Sequence, residues 1–176
     1  MYTKIKIAGH PVHPMLIAFP VTCYTGTLAG FAVYAAIGHL FWLNLAIALS
    51  VGGVGGVGGA VLAAIPGLAD WAFGIPRDSA AKMIGLAHAG LNVTALGLFG
   101  AVIAVYVTSW NGPAINATPG IILSAIGVAA TIAAGFLGWT LVQDYHVGIR
   151  LAPGQELAEP AVQHHQPIPP RRRRAA

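Results

Sequence analysis

Residues 119–143 read PGIILSAIGVAATIAAGFLGWTLVQ, a stretch of 25 positions without one charged side chain. An α-helix rises about 1.5 Å per residue, so about 20 apolar residues are enough to cross the hydrocarbon layer of a bilayer. Three further stretches are predominantly apolar over a similar length, at residues 15–38, 41–68 and 81–109. The sequence therefore predicts four transmembrane helices that form an all-α, up-and-down bundle in the lipid bilayer.

The composition of the whole chain agrees with this prediction. Hydrophobic residues make up 56% of the 176 positions and charged residues 8%, and the mean hydropathy is +0.72. Soluble domains contain roughly 25% charged residues, so lipid is the expected solvent for most of the surface. The net charge of +4 does not indicate nucleic-acid binding. Four of the nine basic residues form one run at 171–174, and no basic face with interleaved aromatic residues occurs elsewhere.

The distribution of charge predicts an orientation in the membrane. Four spans bring both ends of the chain to one side, and all nine basic and all five acidic residues fall on that side. The two loops on the other side, around His39 and at residues 110–117, contain no charged residue. By the positive-inside rule we expect both termini in the cytoplasm. Residues 1–150 would form the membrane domain, and residues 151–176 a disordered tail rich in proline and arginine.

Two local features are expected to shape the spans. Pro20 cannot donate a backbone hydrogen bond, which predicts a bend near Leu16 in the first helix.

The second span contains VGGVGGVGGA at residues 51–60, which we interpret as part of one continuous helix although glycine has low helix propensity. Its glycines would permit close packing in the bundle, contact with a second copy or another membrane protein, or a flat ligand. These glycines are Gly52, Gly55, Gly56 and Gly59.

Polar and titratable residues from several segments are expected to meet at the charged side of the bundle. Two histidines precede the first helix, one lies about two turns into the third helix, and one follows the fourth. An aspartate ends the second helix, and an asparagine lies one helical turn beyond the third-helix histidine. The residues are His10, His13, His88, His146, Asp70 and Asn92. Ionisable groups at membrane depth are costly and indicate a functional site by default. The structural alternative is that His88 bonds a carbonyl group and that Asp70 caps a helix or forms an ion pair.

Several kinds of chemistry fit these residues. Two neutral imidazoles on facing helices can hold the iron of haem b, and a glycine-rich helix leaves room for a flat macrocycle. The four histidines with Asp70 would equally suit a transition-metal ion. A proton or quinone site needs the same groups without a metal. The chain has no HExxH or CxxCH motif, no nucleophile–base motif and no phosphate-binding loop, so we do not expect a stand-alone enzyme.

The segment Gly9-His10-Pro11-Val12-His13-Pro14 and the MLIAFP that follows resemble the N-terminal signature of a bacterial family of predicted membrane proteins of unknown function. Further motifs of the family are matched by GLAD at residues 67–70, by AH at 87–88 with Asn92, and by GWTLV at 138–142 running to HVG at 146–148. The sequence departs from the family pattern at Trp139-Thr140, where the family has a second glycine and an acidic residue. Any role of that acidic residue in the family therefore does not carry over to this chain.

The resemblance covers residues 7–150 and implies a four-helix integral membrane domain. Some members resemble, or are fused to, Rieske-type iron–sulfur proteins, which implies redox chemistry and an iron–sulfur partner. Our first functional hypothesis is therefore a small redox membrane protein that binds haem or a metal, with His13, His88 and His146 as ligands and Asp70 in support. A carrier of protons, metal or a small solute past the same residues is one alternative. An accessory subunit that packs into a larger membrane complex is the other.

Overall fold

The computed structural model describes residues 5–56, 58–149 and 154. It confirms the all-α prediction, because four helical stretches are long and apolar enough to cross a membrane: Val12–Ile37, Leu40–Gly74, Ala80–Ser109 and Thr118–Gln143. Apart from residue 154, the predicted tail at 151–176 with its four arginines lies outside the described residues. All charged residues that the structure describes belong to segments at one end of the bundle, which we name the charged end. They are Lys6, Asp70, Arg77, Asp78, Lys82 and Asp144.

Six α-helices build the four spans. The first span comprises α1 (Val12–Leu16) and α2 (Ala18–Ile37), and the second comprises α3 (Leu40–Gly55) and α4 (Ala60–Gly74). The third and fourth spans are α5 (Ala80–Tyr106) and α6 (Thr118–Gln143). A short antiparallel pair, β1 (Lys6–Ile7) and β2 (His10–Pro11), precedes α1 at the charged end.

The first span has an interruption next to Leu16, where the sequence predicts a bend. The helix is interrupted at Ile17, between α1 and α2. Pro20 lies three positions later and has no N–H for the carbonyl group of Leu16, so one bond of the helical ladder is absent there. The bonds on either side persist, from the Ile17 N–H to the His13 oxygen and from the Val21 N–H to the Ile17 oxygen. The first span therefore crosses as two helical segments, with His13 on the shorter one.

The prediction of one continuous helix for the second span is wrong. Gly56 donates the last bond of α3 to the Gly52 oxygen, and Gly59 then closes a tight turn by donating to the Gly56 oxygen over 2.7 Å. Both Gly56 and Gly59 have extended backbone dihedrals, with ψ of 171° and 170°. Glycine costs about 1 kcal/mol relative to alanine inside a helix, and this segment has too many glycines to stay helical. We name this interruption, with Gly56, Gly58 and Gly59, the glycine break.

The glycines of the second span have different roles from those expected. Gly53 packs inside the bundle, where an added Cβ would lie 2.8 Å from the Cβ of Cys23. In the glycine break, Gly58 lies against the ring of Phe19. A Cβ added to Gly52 or Gly55 would meet nothing within 4 Å. The close packing that the glycines permit within the chain is therefore carried by other positions than Gly52 and Gly55.

The bundle consists of two halves that pack in equivalent ways. Helix α2 packs on α3 and α6, and helix α5 packs on α6 and α3. Three ring pairs connect the first half with the second, and in each pair the second residue follows the first by 75 positions. The pairs are His13 with His88, Tyr24 with Phe99, and Phe31 with Tyr106. An approximate two-fold axis therefore runs along the bundle between α2 and α5, and these rings flank it.

The same repeat relates the second span to the fourth. Ser50 donates to the Ala46 oxygen, and Ser124, 74 positions later, donates to the Gly120 oxygen. Beyond the glycine break the offset changes to 71 positions, which relates Ala63 to Ala134. The first half thus contains three additional residues between these points. Helix α6 has no counterpart of them and is continuous, so the glycine break accommodates an insertion.

Side chains fix the loops at the end of the bundle opposite the charged end. The Tyr106 hydroxyl donates to the Asn116 oxygen over 2.7 Å and accepts from the Gly120 N–H over 2.9 Å. The two side chains of Asn44 and Asn111 are hydrogen-bonded over 2.6 Å. These bonds connect the third span with the fourth and the second span with the loop that follows the third, and they fix this end of the bundle.

Candidate functional site

His13 is oriented by the second span. Its Nδ1 lies 2.8 Å from the backbone oxygen of Ala63 in α4. A carbonyl oxygen can only accept, so Nδ1 of this imidazole carries a proton. One turn further along α4, an added Cβ on Gly67 would lie 2.8 Å from the imidazole Cε1 and Nδ1. The absence of a side chain at Gly67 lets the ring lie directly against α4.

His88 repeats this arrangement in the second half. Its Nδ1 lies 2.8 Å from the backbone oxygen of Ala134 in α6, which again requires the Nδ1–H form. A Cβ on Gly138, one turn further along α6, would lie 3.2 Å from the imidazole Cε1. Each half of the bundle therefore supplies the same unit, a histidine held by a backbone carbonyl and a glycine four positions beyond that carbonyl.

The two imidazoles meet across the two-fold axis. The ring centroids of His13 and His88 are 6.4 Å apart, and the ring planes form an angle of 83°. Both side chains are half-buried. Since Nδ1 of each ring donates to a carbonyl group of its own half, Nε2 is the nitrogen that is left to accept a hydrogen bond or to bind a metal.

The two Nε2 atoms have different surroundings. Asn92, one turn after His88 on α5, donates from Nδ2 to His88 Nε2 over 3.2 Å and to the His88 backbone oxygen over 2.9 Å. The position equivalent to Asn92 in the first half is Ile17, which has no polar side chain. Among the described residues no hydrogen bond to His13 Nε2 is found. The two histidines are otherwise equivalent, and they differ in the hydrogen bond that Asn92 donates to Nε2 of His88.

His13 and His88 are the described residues that could together hold a metal or a haem iron. In metalloproteins a ligating histidine usually donates its second ring N–H to a carbonyl or carboxylate, which fixes the tautomer and the ring orientation. His13 and His88 both have that bond and are oriented by rigid helices.

Three of the residues predicted for the site form this group: His13, His88 and Asn92. His10 lies exposed on β2, and His146 follows the end of α6 with a left-handed backbone, at φ 52°. Asp70 lies half-buried in α4, four residues before its end. Within the part of the chain that the structure describes, no three His, Cys, Asp or Glu side chains form a group that could hold a metal ion.

Lys82, a basic residue at the charged end, binds the backbone of α4. Lys82 at the start of α5 donates from Nζ to the carbonyl groups of Trp71, Ala72 and Ile75, which end α4. The same ammonium group lies 4.2 Å from the centroid of the Trp71 ring, and the Trp71 indole N–H donates to the Lys82 oxygen. A cation at a helix C-terminus is favourable, so Lys82 fixes α4 against α5 beneath the histidine pair.

Sequence reasoning missed the backbone part of the site. Ala63 and Ala134 contribute only a carbonyl group, and Gly67 and Gly138 only the absence of a side chain, so residue type alone does not reveal them. What the sequence offers is a spacing that both halves share, and the same Ala-x-x-x-Gly spacing also occurs at residues 48–52 and 81–85. Each half contains a histidine and, downstream, an alanine followed four positions later by a glycine.

One family model matches the chain, at residues 9–151, and the family is described as predicted membrane protein (DUF2231). The matched range contains α1 to α6 and every residue of the histidine pair. No curated protein and no solved structure matches the chain significantly.

Proposed function

The chain belongs to the DUF2231 family of predicted membrane proteins, and on this premise we propose that it is a redox protein that binds one haem b between His13 and His88. The observation that carries the proposal is the pair of neighbouring imidazoles, each fixed through Nδ1 by a carbonyl group 2.8 Å away. Haem iron bound by two histidines takes up and releases one electron, and no bond to the histidines has to break in that exchange. An iron–sulfur protein is the one-electron partner that fits this chemistry.

The separation of the rings agrees with a shared metal. Metal–imidazole bonds of about 2.0 Å place the centroids of two opposed imidazoles about 6.3 Å apart. The observed separation is 6.4 Å. Gly67 and Gly138 support the same function, because they allow both rings to lie back against α4 and α6 and leave the axis between them to the ligand.

The number of ligands favours haem over a bare metal ion. Zinc sites in proteins use three or four side-chain ligands, and no such group of His, Cys, Asp or Glu is found among the described residues. Haem iron receives four ligands from its macrocycle and needs only two from the protein. His10, His146 and Asp70, at the charged end, would then serve the docking or proton balance of the site and not ligate the iron.

A carrier function has less support from the packing. A pathway along the axis would have to pass Tyr24 and Phe99, whose rings are stacked at 3.7 Å, and Phe31 and Tyr106, whose rings are 4.6 Å apart. These four side chains are at most 3% exposed. They fill the centre of the bundle on the side of the histidine pair away from the charged end.

We further propose that the protein lies in a bacterial inner membrane with its charged end in the cytoplasm. The positive-inside rule supports this orientation, since every charged residue of the described chain belongs to the same end. Residues 151–176 would then form a cytoplasmic tail next to the membrane domain of residues 1–150. Gly52 and Gly55, which meet nothing within 4 Å, would be available to a neighbouring membrane protein.

The experiment is an absorption spectrum of the purified full-length protein in detergent, oxidised and then reduced with dithionite, after titration with haem b. We expect a Soret band that shifts on reduction and a stoichiometry of one haem per chain. The near-perpendicular imidazole planes also predict a strongly anisotropic low-spin EPR signal of the oxidised protein.

Histidine variants identify the ligands. His13→Ala and His88→Ala should each abolish the low-spin spectrum, whereas His10→Ala and His39→Ala should leave it unchanged. If haem binds equally well to His88→Ala, or if the protein titrated with haem gives only the spectrum of free haem, the proposal is wrong.

A further inference from the structure

The hydrogen bond between Asn92 and His88 involves the ring nitrogen that the proposed haem site assigns to iron. The Asn92 amide nitrogen donates to the His88 backbone oxygen over 2.9 Å, and the same nitrogen donates to His88 Nε2 over 3.2 Å. A carbonyl oxygen only accepts, so the first bond keeps the nitrogen of the amide on this side. One N–H of the amide is thereby directed at Nε2. His88 therefore has a partner for Nε2 within its own helix.

His13 has no corresponding partner among the described residues. The hydrogen bond of its ring runs from Nδ1 to the Ala63 oxygen, and the residue one turn further along the chain is Ile17, which has no polar side chain. Binding of iron therefore costs His13 no hydrogen bond. The same step costs His88 the bond from Asn92, and an amide N–H without an acceptor is unfavourable away from water. Of the two iron–nitrogen bonds in the proposed site, the bond to His88 would be the weaker.

A His88 ring that has left the iron would be held at both of its nitrogens. Nδ1 lies 2.8 Å from the Ala134 oxygen and Nε2 lies 3.2 Å from the Asn92 amide nitrogen. The two bonds come from different helices, α6 and α5, and they fit a single position of the ring beside Gly138. Asn92 is therefore placed to compete with iron for His88 and to receive the imidazole when it is released.

The histidine pair can be reached from the bilayer by a small apolar molecule. The residues one turn after each histidine, Ile17 and Asn92, are both exposed, Ile17 to 40%. The imidazoles themselves are half-buried. Away from the charged end, the stacked rings of Tyr24 and Phe99, 3.7 Å apart, fill the axis. The replacement of one imidazole in this packed setting leaves room for a ligand of a few atoms.

We infer that the proposed haem site also binds a diatomic gas, which takes the place of His88 on ferrous iron while Asn92 holds the released imidazole. The inference rests on the proposed function and adds a second one to it. In the exchange the bond between His88 Nε2 and iron breaks, and a bond between iron and the gas forms. The iron stays ferrous, and no electron or proton is transferred. Hydrogen-bond donors and access around haem decide between ligand binding and electron transfer alone, and here both features lie on the side of His88.

Asn92 sets the size of the effect. The apparent affinity for the gas is lowered in proportion to the fraction of haem from which His88 is released. Without the amide of Asn92 the released ring has one hydrogen bond fewer, so that fraction falls. One hydrogen bond corresponds to about a two- to tenfold change in such an equilibrium.

The test is the binding of carbon monoxide to the full-length protein in detergent, loaded with haem b, reduced with dithionite and followed by absorption. We expect carbon monoxide to shift the Soret band, at a rate that levels off at high gas concentration because His88 has to leave first. Asn92→Leu should weaken the apparent affinity for carbon monoxide about two- to tenfold. The same variant should keep the low-spin spectrum of the oxidised protein, whereas a variant that merely damaged the site would lose both.

Thr94→Val is the matched control, since the Thr94 hydroxyl donates to the Gly90 oxygen of the same helix. It should bind carbon monoxide like the wild-type protein. A haem-loaded, reduced protein whose spectrum does not change with carbon monoxide would overturn the inference and leave the haem site intact. Equal affinity for carbon monoxide in the wild-type protein and Asn92→Leu would overturn the assignment of His88 and Asn92. A protein that binds no haem would overturn both the proposed function and this inference.

Discussion

Gly138 lies directly against the imidazole ring of His88, so that a Cβ on Gly138 would approach the ring Cε1 to 3.2 Å. The same helix, α6, contains Gly135, whose added Cβ would meet nothing within 4 Å. The two glycines are three positions apart in one helix and differ only in what they face. This difference makes them a matched pair for testing the histidine site.

Gly138→Ala should push the His88 ring from its position against α6, because the ring is held there by the Ala134 carbonyl group. We expect the variant to lower haem affinity at least tenfold and the free energy of unfolding by about 1–2 kcal/mol, as is usual for overpacking. Gly135→Ala should retain haem and raise stability by up to about 1 kcal/mol through helix propensity. Haem titration and thermal unfolding in detergent measure both effects. Equal behaviour of the two variants would contradict the packing described for His88.

Tyr24 and Tyr106, whose rings flank the two-fold axis, should differ in how the loss of the hydroxyl group changes the free energy of unfolding. Tyr24→Phe removes a buried hydroxyl that has no hydrogen bond in the described part of the chain, so we expect the free energy of unfolding of the ligand-free protein to rise by about 1 kcal/mol. Tyr106→Phe leaves the Asn116 oxygen and the Gly120 N–H without their partner, and we expect a loss of about 1–3 kcal/mol. Thermal unfolding, with circular dichroism as the probe, distinguishes the two. A destabilised Tyr24→Phe would show that its hydroxyl is bonded.

Removing the amide of Asn92 should free Nε2 of His88. The Asn92 amide competes with iron for that lone pair, so we expect Asn92→Leu to bind ferric haem about two- to tenfold more tightly, in line with one lost hydrogen bond. Thr94→Val is the control, since its hydroxyl bonds only to Gly90 on the same helix. Weaker binding in Asn92→Leu would indicate that Asn92 holds His88 in its ligating orientation and does not compete with iron.

Labelling with a membrane-impermeant maleimide tests the proposed orientation. In a Cys23→Ala background, Thr108→Cys places a thiol near the end opposite the charged end, and Asp78→Cys places one at the charged end. We expect Thr108→Cys to react in intact cells and Asp78→Cys only after the membrane is opened. The reverse pattern would place the charged end outside and contradict the positive-inside assignment.

The sequence predicted the spans well because length and hydropathy are properties of whole stretches. The four helices capable of spanning a membrane follow from runs of apolar residues, and the bend of the first span follows from the one N–H that Pro20 lacks. The glycine break was missed because it does not follow from the length and hydropathy of the stretch. Whether a glycine-rich run stays helical depends on its neighbours, and here Phe19 and Tyr24 pack against the interruption.

The histidine pair was predicted only in part. His13, His88 and Asn92 were found from residue type and helical spacing, both of which are local. Which of the histidines face each other depends on how α1 and α5 approach across the axis, and no single helix contains that information. The ligand-orienting groups were invisible to residue type, because at Ala63 and Ala134 the acting atom is a backbone oxygen.

The equivalence of the two halves has a consequence for the order of the chain. Each half leaves the charged end and returns to it, so the start of α1, the end of α6 and the connection from α4 to α5 all lie at that end of the bundle. The chain could therefore be circularly permuted, with the second pair of spans placed first and new termini between α4 and α5. Such a permutant would keep every ring contact along the axis, and the bundle would then behave as two interchangeable modules.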